Sequence, residues 1–182
     1  MTMRPVRKKI KGDIACKKLL RPTTGKVREA LFNILRDRIE DSRFLDLYAG
    51  TGAVGIEALY QGASYAVFVE ADRNYAEYIH KILEKSGFSQ RARIITEKAL
   101  SFIAGAGLNN MTFDIIFLDP PYHTDEILYI LPAIGVSCIL KEEGLVVAEH
   151  FKKRQLPERF DALQKITDYK YGDTILSFYK ML

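Results

Sequence analysis

The sequence predicts an α/β protein with a mostly parallel seven-stranded sheet, helices on both faces and an antiparallel hairpin at the C-terminal end. Three observations lead there. From residue 43 onward, short apolar strand-like runs alternate with helix-like segments, the pattern of a sheet covered on both sides. A glycine-spaced loop, "AGTGAVG" at 49–55, follows the first of these runs and opens a helix. That is the layout of a Rossmann-like βαβ unit. Near the end, "DALQKITDYKYGDTILSFYK" has two alternating stretches around Tyr171, Gly172 and Asp173, a hairpin signal.

The elements follow in order. In "RPTTGKVREALFNILRDRI", Pro22 starts a helix and Thr23 or Thr24 can cap it. Val27, Ala30, Leu31, Ile34 and Leu35 form one apolar stripe on an otherwise charged surface. Strand-like segments are Arg43–Ala49, Tyr65–Glu70, Ala92–Thr96, Phe113–Leu118 and Gly144–His150. Helix-like segments between them are Ala53–Gly62, Arg73–Ser86 with Gly87 as its stop, a short one within "LSFIAGA", and Asp125–Ile134.

A chain of 182 residues suggests one domain with a sizeable core. We divide it into a basic arm, 1–20, and a single domain with its N-terminal helix, 21–182. No stretch is long and apolar enough to span a bilayer. The N-terminus has charge but no apolar run after it, so a cytoplasmic protein is expected. Cys16 and Cys138 lack zinc spacing, and His80, His123 and His150 are scattered, so no metal site is expected. Charge is uneven: ten basic side chains against Asp13 give residues 1–28 a charge of +9, and leave −5 for the rest of a chain of net +4. The arm residues Arg4, Arg7, Lys8, Lys9 and Lys11, with Arg21, Lys26 and Arg28, are candidates for RNA phosphate contacts. A solvated tail has the same composition.

In such sheets ligands bind beyond the carboxyl ends of the strands, at the switch point. The first strand ends at the glycine loop, the second at Glu70, the fourth at Asp119. Gly50, Gly52 and Gly55 permit a tight turn and close helix packing. Glu70 stands where an acid takes ribose hydroxyls. Two cofactor classes use this layout, a dinucleotide and S-adenosylmethionine. Asp46, four residues before Gly50, favours the second: a carboxylate repels pyrophosphate and attracts a cationic methionine end. At the third strand end, Lys98 and Ala99 flank the expected adenine position. Lys98 cannot accept a hydrogen bond, so backbone groups are the expected readers there.

The fourth strand runs into "FLDPPY". An exocyclic base amine is a poor nucleophile because its lone pair is delocalised into the ring. The Asp119 carboxylate and the Pro120 carbonyl can accept its two N–H bonds and free that lone pair. Pro120 brings no competing N–H and a fixed φ, and Pro121 restricts Pro120 further. Tyr122 offers a flat face on which a base can stack. Transfer of a methyl group to a base amine is the chemistry this corner suits.

"RPTTGKVREALFNIL", "FLDLYAGTGAVGIEAL", "VFVEAD", "FDIIFLDPPY" and "YGDTILSFYK" together resemble, in order, the RsmD family across residues 21–180. The resemblance implies a class I methyltransferase fold, S-adenosylmethionine as cofactor, and methylation of guanine N2 in 16S ribosomal RNA. It implies that Asp46, Ala49, Gly50, Thr51, Gly52 and Gly55 carry the cofactor loop. Glu70 and Ala71 would meet the ribose side, Ala99 the adenine side, and Asp119–Tyr122 the target amine. Thr23 would belong to a cover over the cofactor, and Arg28 to the RNA entrance. Gly25 stands where the family usually has an acid, and the arm keeps basic charge but little of the family's glycine-punctuated pattern. A short chain with an acidic body leaves little room for a recognition domain, so the assembled small ribosomal subunit is the expected substrate. The rival readings are a DNA adenine-N6 methyltransferase, a non-catalytic RNA-binding module on the same fold, and a nicotinamide-dependent enzyme.

Overall fold

A computed structural model describes residues 25–182. Arg4, Arg7, Lys8, Lys9, Lys11, Arg21 and Thr23 lie outside the described residues, as does the cap assigned to Thr23 or Thr24. The chain begins with helix α1, Gly25–Ile34, and a short α2, Arg36–Ile39. The sequence reads as one helix here. The break falls at Leu35, where Arg38 N–H donates to the Leu35 carbonyl three residues back and tightens the turn. The apolar stripe survives the break, because Leu31, Leu35 and Ile39 all stay buried.

Strand–helix alternation follows: β1 Arg43–Asp46, α3 Ala53–Tyr60, β2 Tyr65–Val69, α4 Arg73–Ser86, β3 Ala92–Ile95, α5 Ala99–Leu108, β4 Phe113–Leu118, α6 Glu126–Val136 and β5 Leu140–Phe151. The chain closes with β6 Arg159–Phe160, β7 Leu163–Tyr171 and β8 Thr174–Met181. One sheet of eight strands runs β3-β2-β1-β4-β5-β8-β7-β6. The first five are parallel, and β8, β7 and β6 are antiparallel to their neighbours. The sheet therefore has one strand more than expected. The addition is β6, only two residues long, too short to show a period. Strand β5 starts four residues before its expected Gly144, because Lys141, Glu142 and Glu143 are exposed and hide the apolar pattern.

The alternation of side chains along each parallel strand builds two cores. Phe44, Phe68, Ile115 and Phe117 face α1, α3 and α4, where they pack with Leu31, Val54 and Ile79. Leu45, Val67, Val69, Ile116 and Leu118 face α5 and α6, with Phe102, Ile127 and Ile130. Both faces are covered, which is why these strands read as continuous apolar runs.

The site is placed by register. Asp46 pairs with Phe68 of β2 and with Phe117 of β4. Glu70 and Asp119 each lie two residues beyond those partners. They flank the end of β1 at the switch point, separated by two strand spacings, roughly 10 Å.

Candidate active site

The loop after β1 is held by backbone. Ala49 N–H donates to Val69 O at 3.1 Å, and Gly52 N–H to Ala49 O at 2.7 Å. Gly50 has φ +52°, and a Cβ there would meet nothing within 4 Å. The demand at Gly50 is conformational, and its face is open to a ligand. Gly55 is the opposite case: a Cβ would sit 2.3 Å from Cε1 of Phe68. Only glycine lets α3 lie this close to β2.

Asp46 is 1% exposed. Its Oδ2 accepts the Gly55 N–H at 3.0 Å, which ties the end of β1 to the first turn of α3. Among the described residues its Oδ1 has no hydrogen-bond partner. Burial raises its pKa to about 7; the Gly55 N–H pulls the other way, and the nearby Glu70 charge adds to the rise. Glu70 spans the rim. Its Oε2 accepts Gly50 N–H at 2.7 Å and its Oε1 accepts Asp72 N–H at 2.8 Å. Ala71 is exposed beside it, and Thr51 is half-buried. Ala99 is buried at the first turn of α5, behind an exposed Lys98 that makes no side-chain cap. Lys26 is exposed on α1 and Arg28 half-buried.

The loop after β4 is held by side chains. Asp119 and Tyr122 are half-buried, Pro120 is buried and Pro121 exposed. Thr124 donates to the Pro121 carbonyl twice, from its backbone N–H at 3.1 Å and its hydroxyl at 2.9 Å. Arg154 donates to Asp125 Oδ1 at 2.9 Å and to the Thr124 carbonyl at 3.0 Å. The Tyr122 hydroxyl donates to Glu149 Oε1 at 3.0 Å. Burial, then the charges of Asp119 and Glu149, push the Tyr122 pKa up, so it stays a neutral donor. Its ring lies 6.3 Å from that of Phe151. Tyr48, just after β1, donates to Glu126 Oε2 at 2.7 Å and joins the glycine loop to α6, the helix that follows the loop after β4.

The structure brings Asp46, Gly50, Gly52, Gly55, Glu70 and Asp119–Tyr122 to neighbouring strand ends. Ala99 follows β3, one strand further out. Sequence reasoning missed Glu149, Arg154, Thr124 and Tyr48. Glu149 carried one usable signal: an acid inside the apolar run "GLVVAEH". It is 2% exposed, and a buried acid needs a partner. A cavity of about 260 Å³ lies elsewhere, at the amino ends of the strands, lined by Arg38, Asp41, Asp114 and Lys141 among others. Asp114 there accepts from Arg43 N–H and Lys141 Nζ, both at 2.8 Å; the pair closes the sheet's bottom. Among the described residues no group of three or more His, Cys, Asp or Glu side chains is arranged to hold a metal, and no helix is long and apolar enough to cross a membrane.

Residues 6–180 match the family described as Conserved hypothetical protein 95. The chain is 34% identical to the Ribosomal RNA small subunit methyltransferase D of Haemophilus influenzae, covering 81% of this chain and 78% of that one. It is 36% identical to the protein of the same name from Escherichia coli strain K12, over 76% of this chain and 68% of that one. A solved structure of a hypothetical protein from Thermus thermophilus superposes with a TM-score of 0.77 at 30% identity, over 88% of each chain.

Proposed function

The chain belongs to the RsmD family, that of Conserved hypothetical protein 95, and we propose that it transfers a methyl group from S-adenosylmethionine to the exocyclic N2 of one guanine in 16S rRNA. The substrate in this reading is the assembled small subunit or a late precursor, the location cytoplasmic, and residues 21–182 act as one methyltransferase domain. The observation that carries it is the register of Glu70, Asp46 and Asp119 across three adjacent strand ends.

The residues fit the cofactor. A buried carboxylate oxygen without a donor, on a group whose pKa burial has raised to about 7, suits a cationic ligand. Two acids beside the loop disfavour a pyrophosphate. Asp46 would hold the ammonium end, Glu70 the ribose hydroxyls, and the 49–55 loop the space between. Ala71 and Ala99 would border the nucleoside, and Thr23 would belong to the cover. Bound there, S-adenosylmethionine supplies a methyl group activated by its sulfonium.

The remaining work falls to the acceptor loop. Asp119 and the Pro120 carbonyl accept the two amine N–H bonds, which returns the nitrogen lone pair to it and aims it. Tyr122 stacks on the base. The nitrogen that receives the methyl group would become cationic. Asp119 stabilises that charge and takes the surplus proton on its way to solvent. The test is mass spectrometry of 16S rRNA from cells with and without the gene. One N2-methylguanosine is expected to vanish and to return when the purified enzyme acts on the mutant's small subunits. An unchanged 16S modification profile would end the reading.

A further inference from the structure

The described part of the molecule has a second feature on the same rim that the methyl-transfer chemistry does not use. At Phe151, the last residue of β5, the chain runs on into Lys152, Lys153 and Arg154. Arg154 is committed to Asp125 and the Thr124 carbonyl, so its charge serves the acceptor loop. Lys152 and Lys153 are exposed. Lys153 Nζ stands 5.9 Å from the centroid of the Phe151 ring, a cation–π distance. That ring is the one packed 6.3 Å from Tyr122. Lys152 is anchored to the tip of the β7–β8 hairpin: its N–H donates to the Asp173 carbonyl at 2.8 Å, and its Nζ meets Asp173 Oδ1 at 2.7 Å. Lys170, exposed on β7, pairs with Ile175, which pairs in turn with His150. It therefore stands at the same end of the sheet, two strands out from β5.

We propose that Lys152 and Lys153, with Lys170 at their flank, form a ledge that binds the RNA phosphodiester backbone beside the extruded base. The inference rests on the methyl-transfer reading, since it needs a nucleic acid at Tyr122. Charge argues for it. The cofactor side of the rim presents Glu70 and Asp72, which repel phosphate. Past Tyr122, on the side away from the cofactor loop, the described rim carries Lys152 and Lys153 side by side, both exposed. A strand whose base enters between Asp119 and Tyr122 keeps its backbone outside, along that basic side. The Lys152–Asp173 pair is no obstacle: an exposed ion pair is weak and exchanges readily for a phosphate. The ledge also gives the β7–β8 hairpin a function beyond covering a sheet edge.

The test uses the full chain, small subunits from cells lacking the gene, and a short single-stranded RNA. Binding is measured across a salt series for the wild type, for Lys152→Glu with Lys153→Glu, and for a control pair on α4, Lys81→Glu with Lys85→Glu. Cofactor affinity and Tm are measured in parallel to show that each variant is folded, and Lys153→Gln serves as a milder change should the double variant fail. The expected result is a loss of RNA affinity of ten-fold or more for the ledge variant. Its slope of log affinity against log salt should become shallower by roughly 0.7 per lysine that loses its phosphate. The control pair should keep the wild-type slope. If the wild type methylates the subunits while the ledge variant and Lys153→Gln keep its slope and affinity, the ledge is wrong and the activity stands. If the wild type methylates neither substrate, the activity is wrong and the ledge falls with it.

Discussion

The two halves of the active rim are built by different means. On the cofactor half, carboxylates bind backbone: Asp46 takes Gly55 N–H, and Glu70 takes Gly50 and Asp72 N–H. These contacts span 9, 20 and 2 residues of sequence. On the acceptor half, side chains hold the loop from a distance. Tyr122 reaches Glu149 across 27 residues, and Arg154 reaches Asp125 and Thr124 across 29 and 30. A cofactor shared by many enzymes can be held by a backbone cradle that glycines make possible. In the proposed mechanism a substrate amine is met by two acceptors in fixed directions, and that calls for a buttressed loop.

If the division is right, damage on the acceptor half should cost turnover and spare cofactor binding. The largest effect is expected at Asp119. Asp119→Ala should lower kcat by about 10²–10³-fold or more, the range seen when one preorganised electrostatic group is lost. Cofactor affinity, measured by calorimetry, should change little. Asp119→Asn keeps one acceptor oxygen and should fall less. Equal kcat for Asp119→Ala and wild type would dissolve the distinction between the halves.

Damage on the cofactor half should appear as lost stability first. Gly55→Ala puts a methyl group into the Phe68 ring, 2.3 Å from Cε1. Separating α3 from β2 to relieve it should cost about 1–3 kcal/mol, read as a lower Tm together with weaker cofactor binding. Normal Tm in Gly55→Ala would mean the helix can slide, and that the cradle is looser than its contacts imply.

Asp46 gives the cofactor half a pH signature. Its pKa rises from the ordinary value of 3.8 to about 7 on folding, through burial first. The folded protein thus holds a proton in that window that the unfolded chain has released, so this group's contribution to stability falls as pH rises from about 4 to about 7. A cationic ligand favours the ionised carboxylate. Cofactor affinity should therefore climb as pH rises through about 7, with a proton released on binding at lower pH. Asp46→Asn should flatten that profile and weaken binding about tenfold. A flat profile in the wild type would place the ammonium elsewhere.

The same division explains what could be read in advance. The glycine loop, Glu70 and "DPPY" are short motifs set by local backbone demands, and each sits at a strand end the apolar pattern marks. Helix α4 was legible to its last residue because Asp72 caps its start and Gly87, at φ +74°, stops it. Strand β6 was invisible at two residues, and the split at Leu35 left no mark because the buried stripe runs through it. The supports of the acceptor loop were illegible for another reason. Nothing in the sequence near Tyr122 says that Glu149 lies beneath it. That contact exists because β5 pairs with β4 and β8 with β5, a fact of topology.

The smallest expected effect tests that hidden contact. Glu149 touches the Tyr122 hydroxyl and has no contact with the reacting atoms in the proposed mechanism, so it acts as a positioning residue. Removing the hydroxyl in Tyr122→Phe leaves the stacking face but frees the ring to tilt. It also leaves Glu149, 2% exposed, without one of its donors. Glu149→Gln keeps an oxygen that can accept the phenol and should lose little. Glu149→Ala removes the brace and should lower kcat about five- to tenfold at unchanged cofactor affinity, equivalent to roughly 1 kcal/mol of hydrogen-bond support. The decisive measurement is the cycle. If the bond acts by orienting the ring, Tyr122→Phe combined with Glu149→Ala should cost no more than the worse single change. Additive losses would mean that Glu149 serves the site by its charge beside Asp119 and not by holding the tyrosine.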